Sequence, residues 1–225
     1  MRKIKLFIAL IGLSLILLIA FSGCNKGLDL SNYVTELKYQ SYSNENCEYL
    51  IKANYGFIED NHTHDGKIGK KINLLTFKLL DRQTDNITYS VSLDFNGVNY
   101  KSNFKLNPVS HALVAVIEIN DFNLNEFEIT LSYSSENVKT TMKSILPENT
   151  ITYKQALTHL QEQQSQLINS YLDQNGEFNG EITMRILVKD QHSYWHIGLC
   201  DKDGNLKALL IDGFSGEVLA IRQIF

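Results

Sequence analysis

The stretch Ile87-Thr-Tyr-Ser-Val-Ser-Leu-Asp-Phe95 alternates apolar and polar residues without a break. Successive side chains on a strand point to opposite faces, so Ile87, Tyr89, Val91, Leu93 and Phe95 share one face. Asn96-Gly97 follows, the dipeptide best suited to the positive φ angles of a two-residue hairpin, and Val98, Tyr100, Ser102 and Phe104 resume the alternation. A helix cannot bury a period of two. Further strands are expected over 34–40, 48–57, 72–80, 111–119, 126–133 and 138–145, with Asn, Asp and Gly between them. Short strands at this density predict an antiparallel β-sandwich over 33–146, immunoglobulin-like in architecture although the Cys…Trp…Cys spacing is missing.

The period changes at Pro147-Glu-Asn-Thr150. Thr152-Tyr-Lys-Gln155 reads as a capping box, in which hydroxyl and amide satisfy orphan backbone donors. Apolar residues then recur at Tyr153, Ala156, Leu157, Leu160, Leu167, Ile168 and Tyr171, a helical stripe interrupted at Gln164 and stopped at Asn175-Gly176. Four more strands are expected over 182–188, 194–200, 206–212 and 218–221. The expectation is therefore α+β overall, with a sandwich followed from residue 150 to 225 by a helix and an antiparallel sheet.

Composition narrows the function classes. Of 225 residues 44% are hydrophobic and 20% charged, which argues against disorder. The net charge is −4, and Arg2, Lys3 and Lys5 supply three of the 21 basic residues from the first 23 positions. The remainder is more acidic still, so no nucleic-acid partner is expected. Arg2 to Lys5 precede an apolar or small-residue run from Leu6 to Ala20, the order of a secretory signal and short of the roughly 20 residues that span a bilayer. Phe21-Ser22-Gly23-Cys24 resembles the lipobox of bacterial lipoproteins, with Phe21 where that family usually has leucine. The resemblance implies that residues 1–23 are a lipoprotein signal peptide and that Cys24 takes a diacylglyceryl group. It implies further palmitate-type acylation and a body held at the extracytoplasmic face of the cell membrane by residues 24–32. Seven residues from Asn25 to Ser31, at about 3.5 Å each, keep that body near the bilayer.

A second resemblance lies near the C-terminus. Tyr194-Trp-His-Ile-Gly-Leu-Cys200, Asp203-Gly204 and Leu209-Leu-Ile-Asp212-Gly-Phe-Ser-Gly-Glu-Val-Leu219 resemble the PepSY domain. Asp212, Ser215, Gly216, Glu217, Val218 and Leu219 match the family's final hairpin. The resemblance covers about residues 150–225 and implies a helix packed on an antiparallel sheet that binds proteins. In that family it accompanies secreted metallopeptidases, which here implies modulation of a protease in trans.

Other clusters carry less chemistry. Gly213-Phe-Ser215-Gly-Glu217 lacks the final glycine and the strand-to-helix context of a nucleophile elbow, so Ser215 reads as a turn residue. His62, His64 and Asp65 place three potential metal ligands in four residues of a polar loop, with no distant partner to nominate. His192 and His196 stand four apart without the glutamate of a zinc-helix motif. Asp201, Asp203, Asn205 and Asp212 mimic calcium-loop spacing, but Leu206 replaces the required glycine and a tight turn accounts for them. Whether Cys47 and Cys200 pair is left open. No catalytic residue and no cofactor is expected. The expected function is a non-catalytic, lipid-anchored module that binds an envelope or secreted protein. The alternatives are a small-ligand or metal-binding surface lipoprotein and a structural envelope component.

Overall fold

The computed structural model describes residues 28–44, 49–60, 69–80 and 87–224. A single 3-10 turn at Leu30–Tyr33 leads into β1 (Val34–Asn44), β2 (Ile51–Glu59), β3 (Lys71–Leu79), β4 (Tyr89–Phe95) and β5 (Val98–Asn103). The two-residue β6 (Lys105–Leu106) is followed by β7 (Leu113–Glu118), β8 (Glu126–Tyr133) and β9 (Glu136–Ser144). Two helices, α1 (Tyr153–Gln163) and α2 (Ser165–Asn169), precede β10 (Gly180–Lys189), β11 (His192–Asp201), β12 (Leu206–Asp212) and β13 (Val218–Ile224).

Local chemistry explains the best-marked elements. Asn96 and Gly97 take φ of 52° and 77°, and the β4–β5 ladder runs from Phe95↔Val98 to Ser90↔Asn103. The alternation buries Tyr89, Val91 and Leu93. At α1, the Thr152 hydroxyl accepts from Gln155 N–H at 3.3 Å while Gln155 Oε1 accepts from Thr152 N–H at 2.8 Å. The helix then breaks at Gln164 (φ −125°, ψ 39°), the position at which the apolar stripe is interrupted. Ile168 on the second, shorter piece still reaches the core.

The expected α+β division does not form. Among the described residues the fold is nearly all β, with two short helices beside one continuous thirteen-stranded sheet. Neither a two-sheet sandwich nor a separate PepSY-like helix-and-sheet domain describes it. The overturning contact is parallel pairing of β10 with β1, Val34↔Ile182 to Lys38↔Arg185, which joins the meander β10–β13 to the N-terminal strands. Strand periodicity reports which residues alternate, not which strand lies alongside, so a pairing this distant in sequence carries no local signal.

In the N-terminal part the sheet curls into a nearly closed barrel. One arm runs β1-β2-β3-β7; the other runs β1-β9-β8-β4-β5, and β5 lies against β7 across the remaining gap. Inside are Tyr42, Ile51, Ala53, Tyr55, Leu75, Phe77, Val91, Phe122, Ile129 and Met142. A second core, under α1 and α2, gathers Leu37, Ala156, Leu160, Ile182, Trp195, Ile197, Leu199 and Ile211. Each fully buried Val, Leu, Ile, Phe or Met among them contributes about 1.5–3 kcal/mol.

The two arms part at β1, which is paired on one side with β2 along its length. On its other side Val34–Lys38 face β10, and Tyr42–Asn44 face β9. A bulge at Tyr39 marks the change of neighbour, since Lys38 pairs with Gly56 and Gln40 already with Tyr55. Tyr39 packs against both cores. Gly56 is required by the close approach: a Cβ there would stand 1.7 Å from the Leu37 carbonyl oxygen.

Candidate functional site

Alternation on β2 and β3 sends Ile51, Ala53, Tyr55, Leu75, Phe77 and Leu79 into the barrel and leaves Lys52, Asn54, Thr76 and Lys78 on the outside. Their register sets Ser41, Asn54 and Thr76 in one row, and Lys52 directly opposite Lys78 in the next but one. Lys38 is the register partner of Arg185 at the last β1–β10 pair. Beyond it β10 continues to Lys189 paired, among the described residues, with β11 alone, while Ile145 N–H donates to the Ser41 carbonyl at 3.0 Å. The fork thus opens a cleft of about 530 Å³. Its far wall is the turn after β6, held by Asn107 Oδ1, which accepts from Val109 N–H at 3.0 Å and Ser110 N–H at 2.9 Å. Val109 stands 89% exposed on that rim.

The cleft is basic. Lys38, Lys52, Lys78 and Arg185 line it, with Ser41, Asn54, Thr76 and Asn107, and among the described residues no carboxylate does. Lys38 Nζ is 2.6 Å from Glu36 Oε1, which sits in an adjoining hollow of about 200 Å³ with His196. Among the described residues Lys52, Lys78 and Arg185 form no ion pair. Burial, and then the charge of Arg185, push the His196 pKa down. Like charges directly opposite on paired strands cost about 0.5 kcal/mol. In a protein that is acidic overall, this concentration of unpaired positive charge gives the cleft a positive local potential.

The segment richest in sequence signals, the β12–β13 turn, is put together differently. Asp212 Oδ1 accepts from Phe214 N–H (2.9 Å), Ser215 N–H (2.8 Å) and the Ser215 hydroxyl (3.1 Å), and Oδ2 lies 2.7 Å from His192 Nε2. Burial works against ionisation there, but these bonds outweigh it and hold the carboxyl well below its usual range. Gln163 on α1 clamps the turn, donating to the Gly216 carbonyl at 2.9 Å and accepting from Val218 N–H at 3.0 Å. Gly216 (φ 75°) lies under the His159 ring, where a Cβ would meet Cδ2 at 2.2 Å. The His192 ring is also packed between Tyr194 and Phe214, at 4.8 Å and 4.4 Å between centroids. Ser215 and His192 both bond the carboxylate, whereas activating a serine needs the imidazole between hydroxyl and carboxylate. The groups at this turn act on one another to fix a hairpin.

Cys24, Cys47, His62, His64 and Asp65 lie outside the described residues. Cys200 is a partly exposed free thiol whose pKa is pushed up by burial and by Glu181 and Asp201. Asp201 Oδ1 accepts from Asp203 N–H and Asn205 N–H, both at 2.9 Å, so that its carboxylate closes the turn. Among the described residues no three His, Cys, Asp or Glu side chains converge as a metal site. Lys38, Lys52, Lys78 and Arg185 were missed in the sequence because each is an outward polar residue of an ordinary strand. Only the pairing register brings them together. No protein-family model matches this chain, and no curated protein matches it in sequence.

Proposed function

We propose that this is a lipid-anchored, non-catalytic binding module at the extracytoplasmic face of the cell membrane, engaging an envelope or secreted protein. The observation that carries the binding role is the outer edge of β13. Among the described residues Val218–Ile224 has β12 as its one strand neighbour; Gln163 on α1 occupies Val218 N–H, and beyond it Leu219 and Ile221 are each 45% exposed. Arg222 is the single charge in that strand. Natural edge strands are blunted by charge, proline or a covering element, and an apolar edge left open favours addition of a partner's strand. The anchor is supported by the order of basic, apolar and small residues that ends at Cys24.

A photoreactive amino acid at Ala220 in living cells tests the binding role. The expected outcome is one discrete adduct, lost when Leu219→Lys and Ile221→Lys are introduced together. No adduct, or an adduct indifferent to those lysines, counts against the reading. Labelled fatty acid tests the anchor: Cys24→Ala is expected to abolish incorporation, and undiminished labelling refutes the lipid.

A further inference from the structure

We infer that the cleft at the sheet fork receives an acidic, extended peptide segment, added as a strand to β10. The inference rests on the reading of this chain as a protein-binding module and names the chemistry of what it binds. Past Arg185 the side of β10 turned away from β11 has no strand partner among the described residues, so Ile186–Val188 offers an unpaired backbone edge inside the cleft, which Lys189 continues beyond the lining. Four residues of strand measure about 13 Å.

The cations sit at the two ends of the same length. Lys38 pairs with Gly56 on β2, and Lys52 stands four residues further along that strand, again about 13 Å away. Lys38 and Arg185 therefore mark one end, and Lys52 with Lys78 the other. A compact anion such as a single phosphate reaches one end; an extended chain with repeated carboxylates reaches both. Between them Ser41, Asn54 and Thr76 form a polar floor, and Val109, Val114, Leu187 and Val188 supply apolar walls. A strand with carboxylates on one face and apolar side chains on the other fits that lining.

Glu36 neutralises Lys38, so the net attraction comes chiefly from Lys52, Lys78 and Arg185. Of these, Lys52 and Lys78 are held directly opposite one another at some cost to the sheet. An incoming carboxylate pair relieves that repulsion, which gives the site a preference for anionic over neutral segments.

The test uses the full chain in neutral detergent and a fluorescein-labelled Asp-Val-Asp-Val-Asp-Val peptide. Saturable binding is expected, weakened about tenfold by Lys52→Glu with Lys78→Glu and left unchanged by Lys154→Glu on α1. A backbone N-methylated version of the peptide, unable to pair with β10, is expected to bind at least about tenfold more weakly. Equal binding by the N-methylated peptide overturns the strand addition. Tripolyphosphate binding in the absence of peptide binding overturns the peptide, as does no binding of either. The Ala220 crosslink is read on the same variants. Its persistence without peptide binding refutes the cleft inference alone, whereas failure of the crosslink bears on the protein-binding reading itself.

Discussion

The β12–β13 turn and the cleft at the fork are both polar, and they use polarity in opposite ways. At the turn, Asp212 satisfies two backbone N–H groups, a hydroxyl and an imidazole, and Gln163 takes up two more backbone groups. At the cleft, Lys52 stands directly opposite Lys78, and among the described residues no carboxylate lines the site. Charge that is fully partnered within the chain stabilises the fold and leaves nothing for a ligand. Charge held without a partner does little for the fold and is available for binding. The difference places the unpartnered charge, and the peptide site inferred from it, away from the densest motif.

The largest effect is expected where the cleft's frame is made. Gly56→Ala forces a Cβ into the Leu37 carbonyl at the fork and should cost about 3 kcal/mol in urea unfolding. A loss below about 1 kcal/mol would mean that the two arms yield easily. Asp212→Asn should cost about 2 kcal/mol at pH 7, because charge-assisted bonds to Phe214, Ser215 and His192 become neutral ones. The folded carboxyl titrates below its ordinary value, so its contribution is complete above about pH 4 and disappears as the pH falls through the folded pKa. The stability gap between the parent chain and the Asp212→Asn variant should therefore close in acid; a gap that widens there contradicts the assignment. Gln163→Ala, which frees the Gly216 carbonyl and Val218 N–H, should cost about 1 kcal/mol. The smallest effect has the other sign. Lys78→Glu replaces a like pair across from Lys52 with an opposite pair and should stabilise by about 0.5 kcal/mol.

Much of the local structure was legible in the sequence. The Asn96-Gly97 hairpin, the strand over Glu126–Tyr133 and the Thr152–Gln155 capping box follow from side-chain period and backbone preference within a few residues. Gln164 even marks where the helix divides. The assembly was not legible. Leu37↔Met184 and Lys38↔Arg185 join strands from opposite ends of the chain in parallel, and the bulge that permits the switch is a single tyrosine. The cleft inherits that opacity, since its cations come from β1, β2, β3 and β10 and look like ordinary solvent-facing residues on each. The hairpin motif at Asp212 was conspicuous because its partners are neighbours in sequence. His192 and Gln163, which complete it, sit 20 and more residues away and were not foreseen.

The division between partnered and unpartnered charge is tested most directly by measuring stability and peptide binding on one variant, Lys52→Glu with Lys78→Glu. The pair exchanges one like-charge contact for another, so its urea midpoint should match that of the parent chain while affinity for Asp-Val-Asp-Val-Asp-Val falls about tenfold. A midpoint lowered as far as that of Asp212→Asn, with peptide affinity intact, would place those lysines among the groups that hold the fold and contradict the account.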